Sequence, residues 1–132
     1  MAGADYVDGV QTPEYIEELI DRLIAMGTRG VVLTGVSFED KLLGAACRMA
    51  GDSKTTYYFS ERLEGSFHGT GDVFASSFCG ALMNGFTPAD AARVAVDYTC
   101  DCIKRTKAVD DDVRYGVDFE RGIPFLLKEL GL

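Results

Sequence analysis

The run His68-Gly69-Thr70-Gly71-Asp72 leads without a break into Val73-Phe74-Ala75-Ser76-Ser77-Phe78, and this junction constrains the fold more than any other stretch of the chain. Two glycines around a threonine permit a tight turn whose amides point one way. The apolar spacing after Asp72 reads as a helix, so the turn stands at a helix N-terminus. Unpaired N–H groups and the positive end of the macrodipole favour an anion there. Asp72 adds a carboxylate within the first turn. An anion cradle beside a fixed carboxylate is what phosphoryl transfer to an alcohol requires: one group holds the transferring phosphoryl, the other orients the attacking hydroxyl. At Gly71 a side chain would intrude where the backbone approaches the anion, and a positive φ would exclude most other residues. The same spacing also suits an ordinary turn, with Asp72 as a helix-start acid. Only ligand dependence separates the two readings.

A chain of 132 residues makes one domain or part of one and can bury a core. Its net charge of −8, from 21 acidic against 13 basic residues, argues against a nucleic-acid or anionic-membrane surface, because either would be repelled. No apolar run approaches a membrane span, and Met1-Ala-Gly-Ala-Asp5 lacks the basic region and apolar core of a signal peptide. A cytoplasmic protein is expected. Cys47, Cys79, Cys100 and Cys102 fall within apolar or helical patterns without CxxC spacing, and read as buried free thiols rather than metal ligands.

Thr12-Pro13-Glu14 is a helix start, with a hydroxyl cap, a proline and an acid in the first turn. Ile16, Leu19, Ile20, Leu23 and Ile24 follow at helical spacing up to Gly27, predicting a surface helix over a sheet. Gly30 to Val36 is a continuous apolar run that predicts a strand buried on both faces. Helix then buried strand is the α/β pattern. Lys41 to Met49 fits helix or strand, but the break at Gly51-Asp52-Ser53-Lys54 and the strand-like Thr55-Thr-Tyr-Tyr-Phe59 favour an antiparallel hairpin. After the glycine turn, Phe74, Phe78, Ala81 and Leu82 form the expected buried stripe of a helix ending near Gly85. Thr87-Pro88-Ala89-Asp90 starts the next helix, with Ala91, Ala95, Tyr98 and Cys102 on its inner face. Phe119 to Leu130 is a last helix whose first part Gly122 and Pro124 weaken.

Gly30-Val-Val-Leu-Thr-Gly-Val36, Tyr57-Tyr58-Phe59, His68-Gly-Thr-Gly-Asp-Val-Phe-Ala-Ser76, Ala95-Val96-Asp97 and Arg114-Tyr-Gly-Val-Asp-Phe-Glu120 together resemble the C-terminal half of the pyridoxal/pyridoxamine kinases of the ribokinase-like superfamily. The resemblance covers nearly the whole chain. It implies an α/β chain, the C-terminal half of a three-layer α/β/α fold with a buried strand, a β-hairpin and covering helices. It makes residues 1–132 a partial kinase domain. The resemblance begins after the family's Asn-x-x-Glu motif and its pyridoxal-lining residues, so the chain reads as a back half starting at an internal methionine, Met1. A severed sheet would expose a strand edge and apolar surface, and homodimerisation across that edge is expected.

The implied activity is ATP-dependent phosphorylation of the hydroxymethyl group of pyridoxal or pyridoxamine, with Mg2+ accompanying ATP. The resemblance implies that Asp72 contacts the acceptor hydroxymethyl as the base, while Gly69, Thr70 and Gly71 supply the anion hole. A carboxylate of ordinary acidity is a poor base for a ground-state alcohol, so orientation and late proton acceptance suit Asp72 better than early deprotonation. Thr34, with Gly35 at the same strand end, is implied near the nucleotide phosphates and a bound monovalent cation; the alternative for Thr34 is a plain β-branched strand residue. His68 reads as a turn histidine with a satisfied hydrogen bond, Lys104, Arg105 and Lys107 as cations at a helix C-terminus, and Asp110-Asp111-Asp112 as a solvated loop rather than a magnesium site. No protein metal site is expected. Competing readings are a hydroxymethylpyrimidine kinase, which commonly carries cysteine where Asp72 stands, a sugar kinase, which commonly carries alanine where Thr70 stands, and a non-catalytic interaction module that keeps the fold.

Overall fold

A computed structural model describes residues 10–63, 69–109 and 117–132. They fall into two compact units divided between Arg62 and Leu63.

The first unit contains α1 (Pro13–Ala25), β1 (Gly30–Val36), β2 (Leu42–Met49) and β3 (Thr56–Glu61). The expected start of α1 forms: the Tyr15 N–H donates to Thr12 Oγ1 at 3.2 Å, with Pro13 in the first turn. Gly27, at φ +101°, turns the chain away. Ile16, Ile20 and Leu23 pack with Val31, Val36 and Ala46, while Leu33, Phe38, Tyr57 and Phe59 border this core. Polar groups fasten the same contact. Glu17 accepts from Arg48 (3.2 Å), Thr55 (2.9 Å) and Tyr57, and Asp21 accepts from Arg48, so one helix edge is tied to β2 and to the chain at β3.

The sheet has the order β1-β2-β3 with both pairings antiparallel. The hairpin read from the sequence is present, closed around Gly51 at φ +95°. The expectation of a β1 buried on both faces is corrected: only Val31 and Val36 are buried, and Thr34 and Gly35 are exposed. An apolar run reports hydrophobicity and not neighbours. Among the described residues β1 has a single strand partner, and its best-covered residues belong to the core that α1 closes. A bulge between Thr34 and Val36 inserts Gly35 and returns Val36 to the face of Val31 and Leu33.

The second unit contains α2 (Thr70–Met83), α3 (Pro88–Val109), a 3-10 turn (Glu120–Gly122) and α4 (Ile123–Glu129). The turn and short helix realise the weakened last helix that Gly122 and Pro124 predict. Thr87 starts α3 as expected, accepting the Asp90 N–H at 3.2 Å. Ala81, Ala91 and Val94 form one core with Phe78, Phe86, Leu126 and Leu130, and Tyr98, Cys102 and Val117 form a second with Val73, Ile103 and Phe125. The predicted α2 stripe is corrected at Leu82, which is exposed; the fully buried positions of α2 are Ser77 and Ala81. α2 packs with α3 through Ala81, Phe78 and Val73, and Ser77 meets its hydroxyl requirement by donating to the carbonyls of Val73 (2.7 Å) and Phe74 (3.1 Å).

The uniform reading of the cysteines as buried is also corrected. Cys47 and Cys102 are buried, Cys79 is exposed and Cys100 is intermediate, and all four are free. Apolar and helical patterns do not say which face of a strand or helix finds a neighbour. Among the described residues no helix is long and apolar enough to cross a membrane.

Candidate phosphate-binding turn

In the second unit the glycine turn opens α2 directly. Gly69 lies at φ +85°, ψ 1°, the left-handed conformation that favours glycine, and its carbonyl accepts the Val73 N–H at 3.0 Å. No side chain at this position caps the helix. The first-turn amides are therefore not taken by the Ser, Thr or Asp oxygen that usually occupies them. Thr70, Gly71 and Asp72 form that first turn, and Gly71 and Asp72 are exposed.

The two glycines have different causes. The positive φ expected at Gly71 belongs to Gly69 instead. Gly71 has no positive φ, and a Cβ built on it meets nothing within 4 Å. Backbone geometry demands glycine at the first position and leaves the second open. A bare first-turn position next to uncapped amides and a carboxylate can receive an anion closely, with Asp72 beside it.

In the first unit Thr34 and Gly35 are exposed at the far end of β1. Thr34 pairs with Ala45, the ladder skips Gly35, and pairing resumes at Val36 with Gly44. Gly35 lies at φ +70°, so here glycine is required by conformation. Two residues that the sequence did not single out support this end. Ser37 is wholly buried; its N–H donates to Gln11 Oε1 (2.8 Å), and its carbonyl accepts the Gln11 N–H (2.7 Å). No local spacing signals this pair, since 26 positions separate them.

Arg105 is held by Asp101 one turn earlier, at 2.7 Å, which raises the guanidinium's already high pKa; Lys104 and Lys107 stand beside it in the closing turns of α3. His68 and Asp110-Asp111-Asp112 lie outside the described residues. Among the described residues no three His, Cys, Asp or Glu side chains gather in a way that could hold a metal ion.

A family model described as phosphomethylpyrimidine kinase matches residues 5–116. Solved structures match over most of the chain. Pyridoxal kinase from Lactobacillus plantarum is 25% identical with a TM-score of 0.81, over 96% of this chain and 45% of its own. A protein from Bacteroides thetaiotaomicron provisionally named phosphomethylpyrimidine kinase, in a crystal form with pyridoxal, is 24% identical with a TM-score of 0.80, over 90% of this chain and 42% of its own. Pyridoxal kinase from Leishmania donovani, in complex with ADP and pyridoxamine, is 22% identical with a TM-score of 0.75, over 89% of this chain and 42% of its own. The chain thus spans less than half the length of each. No curated protein matches it.

Proposed function

The chain belongs to the phosphomethylpyrimidine kinase family and has the ribokinase-like fold, and from this premise we propose that it serves ATP-dependent phosphorylation of the hydroxymethyl group of pyridoxal or pyridoxamine. The observation that carries the reading is the opening of α2: a left-handed Gly69, an uncapped first turn, a Gly71 that local packing does not require, and Asp72 alongside. Amides of Gly69, Thr70 and Gly71 would surround the transferring phosphoryl group and offset the charge on its oxygens. Asp72 would orient the acceptor hydroxyl and take its proton as the oxygen gains bonding to phosphorus, when the alcohol is far more acidic than in the ground state. In the first unit, Thr34 and Gly35 would serve the nucleotide or a monovalent cation.

Magnesium fits this arrangement as an ion carried by the nucleotide. It binds through one or two carboxylates, phosphate oxygens and retained waters, and does not need a cage of protein ligands. Bound with the nucleotide, the ion would neutralise phosphate charge.

Phosphorylation of hydroxymethylpyrimidine is the second reading, favoured by the description of the matching family model. Asp72 favours the pyridoxal side, since the pyrimidine kinases commonly carry cysteine there and sugar kinases commonly replace the Thr70 equivalent. ATP consumption by an enzyme containing this sequence, assayed against pyridoxal, pyridoxamine and hydroxymethylpyrimidine, separates the two. Turnover with pyridoxal or pyridoxamine in excess over the pyrimidine is expected. The reverse preference would replace the first reading with the second, and absence of any nucleotide binding would reduce the chain to an interaction module. We also propose that it works as a homodimer, because β1 and β3 each have one strand partner among the described residues.

A further inference from the structure

The end of β1 is held by a device that the hydrogen-bond ladder does not supply. Beyond the Thr34–Ala45 pair, Gly35 has no partner on β2, and the ladder resumes only at Val36. Thr34 is held by the ladder on one side only, and Gly35 takes its orientation from what anchors the chain just after it. Val36 is buried in the α1 core, and Ser37, at 0% exposure, is fixed from both sides of its backbone by Gln11. The Ser37 hydroxyl, 2.8 Å from the carbonyls of both Glu39 and Leu42, ties down the turn into β2. Gln11 directly precedes Thr12, the cap of α1, so the start of the helix and the end of the strand are tied at one point. A buried N–H left without an acceptor is costly, so Ser37 would shift to find one if the Gln11 carbonyl were removed.

We propose that Gln11 is a positioning residue: through Ser37 it sets the angle at which Thr34 and Gly35 are presented to nucleotide. This rests on the reading of Thr34 and Gly35 given above. Gln11 touches no substrate in this account and acts only through the strand end.

The full chain carrying Gln11→Leu, which keeps side-chain size and loses the acceptor, is compared with Gln11→Glu, which keeps an acceptor oxygen. Backbone order parameters from 15N relaxation report the strand end, and calorimetric titration with magnesium-ATP reports binding. Gln11→Leu should lower the order parameters at Thr34 and Gly35 while leaving the centres of β2 and β3 unchanged, and weaken ATP binding about tenfold; Gln11→Glu should restore both. Unchanged order at Thr34 and Gly35, a loss spread evenly through the sheet, or failure of the Glu variant to restore it would overturn the proposal. Loss of order at the strand end with parental ATP affinity would overturn its nucleotide part. A parent chain that binds no ATP would overturn the nucleotide reading itself, and the order parameters would still decide whether Gln11 holds the strand end.

Discussion

At the scale of single residues, the contrast between Gly69 and Gly71 turns the candidate site into an experiment. Gly71→Val should leave thermal stability near that of the parent, because its Cβ enters open space, yet abolish magnesium-ATP binding by blocking close approach of phosphate. Equal ATP affinity in parent and variant would remove the anion-hole assignment. Asp72→Asn, in an intact enzyme containing this sequence, should lower kcat by at least about a hundredfold with little change in ATP affinity, since size is kept and proton acceptance is lost. Near-parental kcat would return Asp72 to the role of a helix-start acid. Cys102 gives a separate pH signature. Burial pushes its thiol from an ordinary value of 9.0 up to about 11, with the charges of Asp101 and Asp118 adding to the rise and Tyr98 and Arg105 opposing it. The folded state therefore holds this proton more tightly than the unfolded chain does. Its contribution to stability is complete below about pH 9 and is lost as pH rises toward 11. Thermal unfolding followed across that range should show Tm falling, and Cys102→Ala should remove part of the slope.

At the scale of elements, the hairpin is held by a backbone approach that admits no side chain. A Cβ on Gly44 would lie 1.9 Å from the Tyr58 carbonyl oxygen and 2.7 Å from the Phe59 Cα. These are main-chain atoms of the paired strand, so the clash cannot be relieved by a rotamer change. Gly44→Ala should destabilise the chain by roughly 1–3 kcal/mol or more, read from the midpoint of urea unfolding. An unchanged midpoint would show that β2 and β3 can separate locally at no cost. The helices owe their limits to chemistry readable in one dimension: Thr12 and Thr87 each accept an amide of the first turn, and glycines with positive φ, Gly27 and Gly85, follow the ends of α1 and α2.

At the scale of the whole molecule, the two units share a feature relevant to assembly. The sheet of the first has edges at β1 and β3 among the described residues. The second exposes Leu82 and Met83 on α2, and Phe119, Ile123 and Leu127 at and along its last helix. Burial of such surface is worth roughly 25 cal/mol per Å2, and open edges invite strand pairing. The chain should therefore self-associate, with light scattering at high micromolar concentration reporting more than a monomer. A stable monomer there would argue that these edges and side chains need no partner in the isolated chain.

Much of the fold is legible in the sequence, and the reason is locality. Caps, breakers and helical periodicity placed α1, α2 and α3, the residue types of 55–59 placed the hairpin, and the Gly-Thr-Gly-Asp run placed the turn at a helix start, because each depends on residues a few positions apart. Burial was not legible in the same way. Leu82 and Cys79 are apolar residues that the tertiary structure leaves exposed, and the apolar run of β1 carries an exposed Thr34 and Gly35. The conformations of the two turn glycines, the bulge at Gly35 and the buried Gln11–Ser37 pair were likewise decided by the fold alone. Glycine spells freedom without saying how it is used, and contacts between distant positions leave no spacing to read. The sequence by itself determined where elements begin and end and that the glycine turn opens α2; which faces are covered, and what holds the strand end, were set by packing between segments far apart in the chain.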